Sequence, residues 1–168
     1  MKGLSVLFIS LIVSSLSFSQ ASKKAEKDTR NWHYELEAIS EGKEGTYVVK
    51  VWSYSKKSNV AIDQAKKNAI HGVIFQGCIG VGNISNQPPL TNNSALEFEK
   101  KDFFDEFFKD NGQYQKYVSV STDGSVSAGD RLKVGKEYKI GVVVSIRKDL
   151  LRKDLEAAGI IKSLSSGF

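Results

Sequence analysis

The side chains best able to act as base, nucleophile or soft metal ligand are few: two histidines, His33 and His71, and one cysteine, Cys78. Nucleophilic catalysis needs a base beside the nucleophile, and a zinc site needs three or four ligands at suitable spacing. These three residues supply neither. His33 opens a strand-like segment and reads as an exposed edge residue, while His71 sits beside Ile70 on a helical pattern and reads as a partly buried structural histidine. Cys78, flanked by Gln76, Gly77, Ile79 and Gly80, reads as a buried, inert thiol, with an intermolecular disulfide as the alternative. The glycines of Gly77-Cys78-Ile79-Gly80-Val81-Gly82 follow a helix, whereas a phosphate loop places them after a strand and before a helix. Chain reversal is the expected role. Asp102, Asp105, Glu106 and Asp110 alternate with Lys100, Lys101 and Lys109 as on a solvated helix face, unlike a glycosidase carboxylate pair. No catalytic residue, cofactor site or metal site is expected, and the chain reads as non-enzymatic.

Charge adds a further exclusion. The formal net charge is +5 over 168 residues, and the lysines and arginines are dispersed among acids, whereas nucleic-acid binding concentrates a basic footprint. No nucleic-acid partner is expected. Residues 1–19 read as a cleaved export signal: Lys2 is the positive start, an apolar run follows, and Ser17-Phe18-Ser19 places small residues at −3 and −1 of the cut. An uncleaved anchor is the alternative. A periplasmic or secreted protein of about 149 residues, with no stable transmembrane segment, would remain. Apolar residues make up 40% of the sequence with Pro 2 and Gly 14, enough for one packed domain and too many for wholesale disorder.

The elements that must position any site follow from periodicity. Residues 20–31 are a polar leader without an apolar face, 32–162 the domain, and 163–168 a C-terminal tail. Period-two alternation over 33–39 and 46–54 predicts a hairpin, with Val48 and Trp52 on one face of the second strand and Tyr47, Val49 and Val51 on the other. A helix begins near Asn59, capped by Ser58; Ile62, Ala65, Ala69, Ile70, Val73 and Ile74 face inward, the alanines at 61, 65 and 69 allow close approach to strands, and Gly77 ends it. Residues 80–93 are the longest loop. Ser94-Ala95-Leu96-Glu97 fits a capping box, opening a second helix that carries Phe103, Phe104, Phe107 and Phe108 to Asn111-Gly112, with Gly112 in the left-handed position. Strands follow over 114–121 and 136–147, with 131–134 extending either of them; a last helix, capped by Asp149, ends at Gly159. The sum is an α+β two-layer sandwich, an antiparallel sheet of about four strands with two to three helices on one face.

The run Tyr47-Val48-Val49-Lys50-Val51-Trp52-Ser53-Tyr54, followed by Ala61, Ala65, Lys66, Asn68, Ala69 and Ile70 and then Phe75-Gln76-Gly77, resembles small exported envelope proteins of Gram-negative bacteria. These include the flagellar-associated outer-membrane lipoprotein type and uncharacterised secreted proteins. The later segment Tyr138 to Ile146 with Leu150, Leu155, Glu156 and Gly159 is similar in style. The lipidated cysteine of that type is absent, so outer-membrane attachment is not implied, and the resemblance supplies no active-site residues. The expectation is an exported interaction module, an accessory component of a cell-envelope assembly with an envelope protein as partner. Its candidate contact surface is the 80–93 loop with Pro88, Pro89 and Leu90, and the aromatic edge with Phe104, Phe108, Tyr114 and Tyr117. The alternative is a periplasmic small-molecule or peptide-binding protein, less readily a hydrolase, with a pocket between the Phe-rich helix and the sheet.

Overall fold

The computed structural model describes residues 32–41, 45–121 and 126–163. The expected export signal, the expected leader and most of the expected C-terminal tail lie outside these residues. A hairpin of β1 (Tyr34–Glu41) and β2 (Thr46–Ser55) leads into α1 (Ser58–Phe75), then the two-residue strand β3 (Ile79–Gly80). Two short helices follow, α2 (Leu96–Glu99) and α3 (Lys101–Phe107), then a 3-10 turn over Gln113–Tyr117 and β4 (Val118–Val120). A second 3-10 turn, Ala128–Asp130, precedes β5 (Arg131–Val134), β6 (Glu137–Arg147) and α4 (Lys148–Ala157).

The architecture is α+β, but the sheet is larger than the expected four antiparallel strands. Among the described residues it has six strands in the order β3-β1-β2-β6-β4, with β5 also on β6, and four helices accompany it. It is mixed, because β3 runs parallel to β1 while the other pairs are antiparallel. The extra strands are short: β3 has two residues, and β5, expected only to extend a neighbouring strand, has four. Among the described residues, 131–134 pair with β6 alone, through a two-residue turn in which Gly135 supplies φ 59°.

One face of the sheet carries the core. Val49, Val51, Ser53 and Ser55 of β2 are buried there with Ile140, Val142, Val144 and Ile146 of β6. Helix α1 lies close against this face. At Gly72 a Cβ would come within 1.9 Å of the Leu36 side chain, so glycine permits the approach to β1. The helix is buried almost all round because α2, α3 and the first 3-10 turn cover its far side: Phe104 meets Phe75 at 5.2 Å and Phe108 meets His71 at 6.0 Å between ring centroids.

Helix ends depart from the expected caps in instructive ways. Helix α1 starts at Ser58 without a side-chain cap, and closes as expected at Gly77, whose φ is 77° and whose N–H bonds Gly72 O at 2.8 Å. The Phe-rich segment breaks at Lys100 into two helices. Asn111, at φ 57°, takes the left-handed position expected of Gly112. Glycine is needed at 112 for space, since a Cβ there would lie 2.4 Å from Phe107 O. The strand expected from Tyr114 begins only at Val118, because Gln113–Tyr117 coils to turn Tyr114 and Tyr117 inward. Asp149 lies in the first turn of α4 and makes no side-chain cap.

Candidate functional site

The aromatic stripe is core, which corrects the expected contact surface. Phe104, Phe108, Tyr114 and Tyr117 are all buried. They pack edge-on and stacked with Phe107 and with one another because α3 and the 3-10 turn close over α1. Leu90 is buried too. Its N–H and that of Thr91 bond Val73 O and Ile74 O at 3.0 and 3.1 Å, so the 80–93 loop satisfies carbonyls that the end of α1 leaves open. Of the named candidate residues only Pro88 is exposed, with Pro89 half-buried. The exposed aromatic on this side is Phe98, 83% accessible, which the sequence reading passed over.

The structure joins Trp32, Tyr34, His71 and Glu97 into one network. Tyr34 Oη lies 2.6 Å from His71 Nδ1, His71 Nε2 lies 3.2 Å from Glu97 Oε2, and Trp32 Nε1 donates to Glu97 Oε1 at 3.0 Å. The Trp32 indole stacks on the imidazole at 3.5 Å. Burial holds the His71 pKa below its ordinary value against the pull of Glu97, so the ring is neutral at pH 7. A carboxylate only accepts, so Nε2–H donates to Glu97 and Nδ1 accepts from the Tyr34 hydroxyl. Every polar group is then satisfied. Partial burial opposes the charge of Glu97, yet the bonds from His71 and Trp32 leave its pKa lowered. Burial and the nearby Glu97 charge raise the Tyr34 phenol. Both imidazole nitrogens are engaged and the phenol is far from ionising, so the cluster ties the start of the domain to α1 and α2. Glu97, the expected capping-box residue, is spent here. No side chain caps α2; Asn93 makes a turn ahead of it, its Oδ1 accepting the Ala95 N–H at 3.0 Å.

Cys78 is buried, free, and raised to about 11 by burial, which makes it unreactive near neutrality. Among the described residues no group of three or more His, Cys, Asp or Glu is placed to hold a metal ion, and no helix is long and apolar enough to cross a membrane.

The remaining candidate is the opposite face of the sheet, where the register assembles a surface from separate strands. Glu35 pairs with Trp52 and Trp52 with Gly141; Tyr54 pairs with Lys139, and Lys139 with Leu132. All these side chains point away from α1, and residues 48, 50, 52 and 54 of β2 are only half-buried. Among the described residues no helix covers them; the turn Ala128–Asp130 reaches the margin, where Asp130 binds Lys50 at 2.8 Å. The Trp52 ring lies on Gly141, where a Cβ would come within 2.9 Å of it. Lys50 and Lys139 stand 5.3 and 5.0 Å from its centroid, a double cation–π arrangement. His33, exposed as expected, stacks on Tyr54 at 4.2 Å. Glu35 accepts from Tyr54 at 2.5 Å and Lys139 at 2.7 Å, and these bonds hold its pKa below the usual carboxylate range. Burial works against the Lys139 charge, but its bonds to Glu35 and Tyr54 outweigh that and raise its pKa. The result is a preformed amphipathic platform with rings fixed by their neighbours. Period-two patterning had placed Trp52 on this side; what it lacked was the knowledge that no helix among the described residues covers it.

The fold and this platform define a class: a mixed-sheet α+β domain in which, among the described residues, helices layer one face of the sheet. No protein-family model matches the chain, and no curated protein or solved structure matches it.

Proposed function

We propose that this chain is an exported, non-enzymatic interaction module, an accessory component of a cell-envelope assembly, whose contact surface is the unlayered face of the sheet. One observation carries the reading: Trp52, Tyr54 and His33 are held side by side on a sheet face that no helix among the described residues covers. Tryptophan and tyrosine are the residue types that dominate binding hot spots, and rings already fixed by neighbours lose little entropy on contact. The engaged nitrogens of His71 and the raised thiol of Cys78 support a role without catalysis. A pocket between the Phe-rich helix and the sheet, which a small-molecule carrier would need, falls where α1 and its surrounding rings are packed.

The test is affinity capture from cell-envelope and culture fractions with a C-terminally tagged chain, comparing wild type with Trp52→Ala/Tyr54→Ala and with Phe98→Ala, and recording the intact mass of the bait. A stoichiometric envelope partner, lost with the double variant and kept with Phe98→Ala, is the expected result, on a bait beginning at Gln20. Equal recovery with all three proteins removes this face from the role. A bait retaining Met1 in the membrane fraction overturns export by a cleaved signal.

A further inference from the structure

The platform ends at an edge that the β5–β6 hairpin leaves open. Among the described residues β5 pairs with β6 alone, and its four residues are all exposed, including Leu132 at 44% and Val134 at 51%. The register fixes what this edge offers. The turn Gly135-Lys136 is closed by the pair Val134 and Glu137, which exchange both backbone hydrogen bonds; Leu132 and Lys139 form the next such pair. The Arg131 N–H is taken by Ala128 O, so the edge offers the Arg131 C=O and both the N–H and C=O of Lys133. Leu132 and Val134 share the unlayered face with Lys139 and Glu137, while Arg131 and Lys133 point to the other face.

Charge decides which strand this edge accepts. In a sheet continued through a second copy, with helices on the same side, Arg131 and Lys133 would face their own counterparts. Like charges directly opposite destabilise a pair, and edge lysines are a common guard against self-pairing. A strand carrying acids at those positions meets attraction in the same place. Asp130, the acid beside them, is engaged by Lys50. We infer that β5 is a strand-addition site for an extended segment of another protein that alternates acidic and apolar residues, its acids opposite Arg131 and Lys133 and its apolar side chains on Leu132 and Val134. Main-chain bonds supply affinity in this mode and alternate side chains supply selectivity. The inference rests on the interaction-module reading and names the partner's chemistry.

Lys133→Pro tests it directly. Proline removes the outward N–H, leaves every β5–β6 hydrogen bond in place, and is tolerated on an edge strand. The probes are blocked peptides of alternating glutamate and valine, and of alternating lysine and valine, titrated against the full chain. The glutamate peptide is expected to bind wild type, more weakly as salt rises, and about tenfold more weakly to Lys133→Pro; the lysine peptide is expected not to bind. Should Lys133→Pro fail to fold, Arg131→Glu/Lys133→Glu retains the backbone and is expected to reverse the peptide preference. Equal binding of both peptides, no binding of the glutamate peptide to wild type, or undiminished binding to folded Lys133→Pro overturns the inference. An envelope partner whose capture depends on Trp52 and Tyr54 and not on Lys133 would overturn strand addition while leaving the interaction module standing.

Discussion

Replacing Glu97 with alanine isolates the network that fastens the start of the domain. The carboxylate accepts from Trp32 Nε1 at 3.0 Å and from His71 Nε2 at 3.2 Å. A hydrogen bond to a charged group contributes about 1.5–3 kcal/mol when buried. The Glu97 side chain is 37% exposed, so water replaces part of what is removed. A value near 1 kcal/mol for each bond is then appropriate, and the loss is about 2 kcal/mol in total. Loss of a helix-terminal cap alone would cost about 1 kcal/mol or less. The assay is urea denaturation at pH 7.5, followed by tryptophan emission, with His71→Phe and the double variant completing a cycle. Coupling of at least about 0.5 kcal/mol between the two positions is expected for residues in direct contact. The pH dependence carries an independent signature. The folded-state pKa of His71 is lowered, so the unfolded chain binds the extra proton first, and stability declines as pH falls through the ordinary histidine value near 6.5 toward the folded value. Glu97 is also lowered, and its contribution is lost further down, below the ordinary glutamate range. His71→Phe is expected to abolish the first decline and to weaken the second, because the His71 bond is the larger of the two that lower Glu97. A Glu97→Ala protein within 0.5 kcal/mol of wild type, or a first decline that survives in His71→Phe, would refute the network.

Two further perturbations test the packing around it. Phe104→Ala, at a ring 3% exposed, is expected to cost about 3–5 kcal/mol by denaturant midpoint; a loss below about 1 kcal/mol would return that ring to the surface. Gly141→Ala places a methyl 2.9 Å from the Trp52 ring. It is expected to destabilise by about 1–2 kcal/mol and shift tryptophan emission, and Trp52→Ala is expected to relieve the cost; an unchanged spectrum and midpoint would show that the indole does not rest on that glycine.

The hairpin, the long helix, its glycine stop and the last strand were legible because each is a long run whose period is fixed by local geometry. Val49 and Val51 against Val48 and Trp52 separate cleanly at period two. They do not say which side is covered, because both sides of β2 are apolar enough to be core. That choice was made by α1, which approaches through Ala61, Ala65, Ala69 and Gly72 and can lie on one face only. The aromatic stripe illustrates the same limit from the other side. Its spacing announced an apolar face at 104 and 108, and the presence of α1 and the coiled segment Gln113–Tyr117 beneath it turned a proposed contact surface into interior.

The sequence by itself determined the α+β class, the strand faces, the apolar stripe of the Phe-rich segment and the scarcity of catalytic side chains, since composition and short-range periodicity encode these. Only the tertiary structure decided that Glu97 serves His71 and Trp32 rather than its own helix, and that Trp52, Tyr54 and Lys139 share one platform. Those partners lie between 26 and 65 residues from Glu97 along the chain, and no local pattern records a contact whose energy appears only when distant segments pack.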